Sequence, residues 1–377
     1  MRLLLMKQTQ SFISTYSADV FGVCSALFEL GGMTVMHDAS GCNSTYNTHD
    51  EPRWYDHDSM VFLSGLSEME AIMGDDEKLI GDILEAAEQL HPRFIAVAGT
   101  PIPMMTGCDL PAVARAVENE TGIPSFGFNT NGMQSYVWGA GEALLAYAKR
   151  MLPKEAVKQP RTVNILGATP LDFSVNGTVE AIRALLTENG WTVSGCWAMG
   201  STPEELERAG EASVNLVVSS VGMKLARYLK KTFGTPFAAG CPIGERAGNR
   251  LLDLLRESEA SGEDRSLFAD YQPSADAPMV AIGESILTRS LAWAIHETYG
   301  REVRVISPVD VPAGILSPGD CSPEDEEDIA ADRCTAHLPG CQELHLQRTL
   351  QGCDRRNPLL ERPVCRQVSQ RQALRTC

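Results

Sequence analysis

Several features are missing from this 377-residue chain, and each absence narrows what it can do. No run of 18 apolar residues occurs, which excludes an ordinary membrane-spanning helix. The opening Met1 to Lys7 is too short, and too soon interrupted by Lys7, Gln8 and Gln10, to be a signal peptide. A cytoplasmic location is therefore expected, where cysteines are reduced, metal-bound or catalytic rather than paired. There is no G-x-x-x-x-G-K-[S/T] loop and no G-x-G-x-x-G after a strand, so no nucleotide is expected on this chain. Gly139 to Glu142 lies inside a helical run, where glycines serve packing. Positive charge is also scarce. A formal net charge of −17 argues against nucleic acid or an anionic membrane as partner. It suits a basic protein partner, or solubility alone. What remains is the composition of a globular protein, 44% hydrophobic and 21% charged, long enough for two or three α/β domains.

Short apolar runs alternate with helix-length segments, the pattern of parallel βαβ units. The reading places strands at 94–99, 123–128, 162–167, 192–198, 215–219, 236–239, 279–282 and 303–306. Helices are read at 110–121, 134–152, 175–189, 223–233 and 285–299, with Gly190, Gly234 and Gly300 as stops. Thr202-Pro-Glu-Glu205 is a capping box with proline at the first helical position. Polar stretches at 153–161 and 257–278 divide the text into three restarts. The expected fold is α/β, with repeated Rossmann-like lobes and parallel sheets: an N-terminal lobe at 1–155, a second at 156–275 and an incomplete third at 276–332. Residues 333–377 differ in kind, with eight Arg, three acids, five Cys and no strand-like run. They are read as lying outside the fold. Their cysteines show no close pair of the kind that makes a zinc knuckle.

In such folds ligands sit beyond the carboxyl ends of strands. Four segments fall there: Cys42, residues 99–106, Thr169 to Asp172, and Cys241. The first is the most telling. Gly32-Met-Thr-Val-Met-His37 reads as a buried strand delivering Asp38-Ala-Ser-Gly41-Cys42 to a loop. Gly41 removes a side chain just before the thiol, so backbone can approach whatever Cys42 holds.

That segment resembles the His-Gly-Pro-x-Gly-Cys signature of the nitrogenase component 1 family, the cluster-carrying subunits of nitrogenases and related reductases. The ordered text that follows is similar to the same family. Val61-Phe62 stands ahead of the helix-like run Glu77 to Leu90, Pro92-Arg-Phe-Ile95 follows, and Gly107-Cys108-Asp109 falls where the family has a Gly-x-Asp loop. The likeness covers about residues 16 to 330. It implies an oxidoreductase subunit that works with a homologous second subunit or as a homodimer. It also implies an iron–sulfur cluster fed by a separate ATPase iron protein, and a small unsaturated substrate. A non-catalytic scaffold or maturation protein for an iron–sulfur or metal cofactor is the alternative.

Among the family's three cluster cysteines, the second matches Cys42. The third position is Pro101 here, and the first should lie near Tyr16, with Cys24 able to substitute or simply to pack as a small hydrophobe. Cys24 and Cys42 from each of two chains would supply the four thiolates of a 4Fe–4S cluster, with Cys108 next in line. His37 and His49 stand around Cys42 with Asp50, Glu51, Asp56, His57 and Asp58, a group able to bind metal, relay protons or simply face solvent. Cys241, in Gly-Cys-Pro-Ile-Gly after a strand, is a pocket candidate. Cys196 reads as a structural thiol.

Overall fold

The computed structural model describes residues 18–39, 41, 43, 46 and 51–323. These residues build three parallel sheets. The first region runs α1 (Asp19–Leu27), β1 (Met33–His37), β2 (Met60–Leu63), α2 (Glu68–Met73), α3 (Asp76–Leu90), β3 (Ile95–Gly99), α4 (Pro101–Thr106), α5 (Leu110–Thr121), β4 (Ser125–Phe128) and α6 (Tyr136–Met151). Its strands lie in the order β2-β1-β3-β4, all parallel. Every residue of β1 and β3 is buried, as expected of strands covered on both faces.

The second region contains β5 (Gln159–Leu166), α7 (Pro170–Phe173), α8 (Thr178–Glu188), β6 (Thr192–Cys196), α9 (Pro203–Glu207), β7 (Ala212–Val217), α10 (Met223–Phe233), β8 (Phe237–Ala239), α11 (Gly244–Ser261) and β9 (Arg265–Ser266). Its sheet has the order β6-β5-β7-β8-β9, again parallel. The third sheet pairs β10 (Met279–Ile282) with β11 (Val303–Ile306) across α12 (Ser285–Tyr299). The expected parallel α/β architecture is what the chain adopts.

Several expected punctuation marks are present. Thr202 and Glu205 form the reciprocal capping box with Pro203 in the first turn of α9. Gly234 and Gly300 end α10 and α12 at φ of +70° and +65°. Other expectations need correction. The stretch 257–278 is not a separator throughout: α11 continues to Ser261 and β9 follows at once. The helix hides in the sequence because its outward face is polar, while Leu251, Leu252, Leu254, Leu255 and Ser258 are buried at helical spacing. β5 likewise begins at Gln159, inside the expected linker. β6 stops at Cys196, and Ala198 takes a φ of +79° that no strand tolerates.

α1 is buried along its whole length and crosses α6 at unusually short range. A β-carbon at Gly139 would fall 1.9 Å from the Asp19 carbonyl oxygen, and one at Gly22 would fall 2.2 Å from that of Tyr136. The two backbones therefore touch, which explains the glycines of α6 as packing residues rather than a phosphate loop.

Buried polar bonds join the regions. Arg53, 1% exposed, donates to Glu51 Oε1 at 2.7 Å, to Glu29 Oε1 at 2.9 Å, to the Ser25 carbonyl at 2.8 Å and, in the second region, to the Ala198 carbonyl at 2.7 Å. Ser135 donates its hydroxyl to Asp310 beyond β11 at 2.5 Å.

Candidate functional site

The carboxyl ends of β5, β7 and β8 meet the first turns of α6 and α12, and a group of polar and ionisable side chains gathers there. Asp172 comes from the turn after β5, Ser219 and Ser220 follow β7, and Cys241 follows β8. Glu284 caps α12, accepting from the Ile286 and Leu287 amides at 3.1 and 2.9 Å and from the Ser220 amide at 2.9 Å. Ser220 and Ser285 share a hydroxyl bond of 2.6 Å. From α6, Tyr136 Oη donates to Asp172 Oδ1 at 2.5 Å.

Burial, reinforced by the Glu284 charge, pushes the Asp172 carboxyl up to about 8, so it holds a proton at neutral pH. Tyr136 donates to Oδ1, while Oδ2 is shielded from solvent and has no hydrogen-bond partner among the described residues. Burial, with Glu284 and Asp172, raises the Cys241 thiol to about 12, so Cys241 is a neutral thiol near neutral pH. Thr169, fully buried in the same turn as Asp172, also leaves its hydroxyl oxygen without a partner.

A second polar centre lies at the carboxyl end of the first sheet. Asp38, buried just after β1, accepts from Thr100 Oγ1 at 2.6 Å and from Asn43 Nδ2 at 2.7 Å. His37 Nδ1 lies 2.8 Å from Ser64 Oγ, and burial lowers its pKa, favouring the neutral ring. Cys42, His49 and Asp50 lie outside the described residues. Cys24 sits in mid-α1, fully buried, its thiol pushed far up by burial and by the neighbouring Glu51 carboxylate. Cys108, half-buried, is raised to about 12 by burial and Asp76. A methyl at Gly41 would meet nothing within 4 Å.

The expected metal-binding or relay loop divides. Glu51 is spent on Arg53, while Asp56, His57 and Asp58 are exposed. Among the described residues no three His, Cys, Asp or Glu side chains stand close enough to hold a metal ion. Cys24, Cys108 and Cys241 all sit where burial favours the protonated thiol in the metal-free protein, so a cluster bound by any of them would displace that proton.

The structure thus places Cys241 at the inter-sheet junction and His37 at the separate first-sheet centre. Cys196, 0% exposed at the end of β6, packs in the core. The partners of Cys241 are only half legible in the sequence. Asp172 stands at a recognisable strand end, but Tyr136 and Glu284 carry no local motif that marks them.

Three parallel sheets, with acids of the second and third brought together at Asp172 and Glu284, define a multi-lobed α/β protein. Residues 20–289, well over half of the chain, match the model of the nitrogenase component 1 type oxidoreductases, and the chain belongs to that family. Among curated relatives, the nitrogenase iron-molybdenum cofactor biosynthesis protein NifE of Methanosarcina barkeri is 32% identical over 190 residues, 47% of this chain and 40% of that protein. One of the subunits of the light-independent protochlorophyllide reductase of Methylobacterium sp. (strain 4-46) is 33% identical over 172 residues, 44% of this chain and 30% of that protein. The chain therefore matches half or less of these relatives' length. The structure of nitrogenase Cp1 at pH 6.5 shares the fold at a TM-score of 0.58 and 18% identity, covering 89% of this chain and 68% of that one.

Proposed function

We propose that this chain is one subunit of a nitrogenase component 1-like oxidoreductase in the cytoplasm. In this reading a 4Fe–4S cluster rests on Cys42, with Cys24 or Cys108 as further ligand, at an interface with a homologous subunit or a second copy. A separate ATPase iron protein supplies electrons, and a small unsaturated substrate is reduced between lobes at 1–155, 156–275 and 276–332. The tail 333–377 takes no part. The observation that carries the reading is the Asp172–Tyr136 pair. Reducing an unsaturated bond consumes protons with electrons, and burial at the junction favours the protonated form of the Asp172 carboxyl group. An assembly is supported by the outer faces of α2 and α4, adjacent to the first-sheet centre. They expose Met69, Ile72, Met73 and Met105 by 68–80%, adaptable apolar side chains of the sort that partners cover.

A second reading, a scaffold that holds and passes on a cofactor without turnover, is favoured by the similarity to NifE, named as a biosynthesis protein. Anaerobic purification with iron analysis and EPR tests the cluster. Fewer than about one iron per chain after reconstitution would overturn both readings. Turnover dependent on an ATPase iron protein selects the oxidoreductase, and cluster transfer to an apo-protein without turnover selects the scaffold.

A further inference from the structure

Away from the junction, a cavity of about 650 Å³ opens between the β8–β9 edge of the second sheet, α10, α11 and residues 313–317. Four guanidinium groups converge on it from four different elements: Arg227 of α10, Arg250 of α11, Arg265 of β9 and Arg289 of α12. In a chain with a net charge of −17 such a concentration of arginine needs a reason. Structural ion pairing accounts for only part of it. Arg250 and Arg265 share one carboxylate, Glu257, at 2.8 and 3.4 Å, and Arg265 reaches Glu263 only at 3.7 Å. Arg227 makes a single 3.3 Å bond to the Ala313 carbonyl and no ion pair among the described residues. Of the two acids in the wall, Asp264 is neutralised by Lys230 at 2.6 Å, and Asp270 is exposed.

Arg289 is the second, independent pointer. It is 1% exposed, spends Nη1 on Asp320 at 2.9 Å, and spends Nη2 on the Phe268 and Tyr271 carbonyls at 3.1 and 2.6 Å. Its Nε–H is buried with no hydrogen-bond partner among the described residues, whereas the Nε of Arg265 faces Glu257 Oε2 at 3.4 Å. A buried donor left unpaired is costly, and such a donor is seldom left without a ligand or water to receive it. Between the arginines the wall is apolar, with Met223, Phe237, Leu254 and Phe268.

We propose that this cavity is a binding site for a small-molecule anion with two or more oxyanion groups on a compact apolar body. The planar forks of Arg227, Arg250 and Arg265 suit carboxylate and phosphate oxygens equally, and the volume suits a metabolite-sized ligand rather than a lone ion. The assignment does not depend on the proposed redox role, and either can fail without the other.

Calorimetry on the full-length purified protein, with pyrophosphate in one arm and glutarate in the other, tests it and distinguishes the two oxyanion sources. The expected result is saturable one-site binding of at least one probe. Arg227→Gln should weaken it tenfold or more and Arg250→Gln by a similar factor, while Arg115→Gln, on the first-region surface, should leave it unchanged. Arg227 makes no ion pair among the described residues, so its variant should fold. Circular dichroism and the melting temperature would confirm that. Absence of saturable binding of both probes up to about 10 mM would overturn the proposal, since that limit excludes all but the weakest affinities. Equal weakening by Arg115→Gln, which marks non-specific charge attraction, would overturn it too.

Discussion

Replacing Asp172 by asparagine should make the protein more stable, and increasingly so as the pH rises. The carboxyl group titrates near 3.8 when unfolded and is raised to about 8 in the native protein by burial and by Glu284. Between those values the folded state binds a proton that the unfolded state releases. The stabilisation is complete below the unfolded pKa and is lost as the pH climbs through the folded one. For this one group the loss approaches about 1.4 kcal/mol per pH unit, hence at most about 3 kcal/mol from roughly pH 5.5 to 7.5. Asparagine copies the protonated acid: its Oδ1 still accepts from Tyr136 Oη, and no charge needs burying. Urea unfolding at several pH values, on wild type and Asp172→Asn, reads the difference directly. The curves should meet near pH 4.5 and diverge upward, with the variant the more stable at pH 7.5. Parallel curves, within about 0.5 kcal/mol throughout, would show that Asp172 is ionised in the native protein and remove the proton store from the site.

Arg53→Met should cost about 3–5 kcal/mol, because Glu51 and Glu29 are left buried without their shared cation, and Glu51→Gln in the same chain should recover part of it in urea unfolding. Gly139→Ala should destabilise by about 2 kcal/mol or more, since the new methyl meets the Asp19 carbonyl at 1.9 Å and forces α1 from α6; a neutral change in melting temperature would show that the helices slide freely. Cys42→Ala should abolish iron content after reconstitution, Cys24→Ala should lower or abolish it, and Cys196→Ala should leave it intact. A Cys42→Ala protein with full iron and an unchanged EPR signal would sink the cluster assignment. A chain ending after Ala331 should hold as much iron per folded molecule as the full length.

Local order is written plainly in this sequence. α5, α10, α12 and β11 begin and end where periodicity, caps and terminal glycines place them, because each element carries its own start and stop chemistry within a few residues. The parallel arrangement follows from alternation of strands and helices. α11 escapes because its polar outer face outweighs a buried stripe that only the packed second sheet reveals. The site divides along the same line. Cys241 and Asp172 can be named as strand-end residues from the text alone, since carboxyl ends are where parallel sheets present ligand groups. That Tyr136, 36 residues from Asp172, would hold one carboxyl oxygen, and that Glu284 would raise the group's pKa from 112 residues away, depended on three distant segments of the chain meeting. The four arginines of the cavity are likewise spread over residues 227 to 289 with no spacing to link them. Hydrophobic period and capping act between neighbours in sequence, whereas desolvation and charge act between neighbours in space, and only tertiary structure decides who those are.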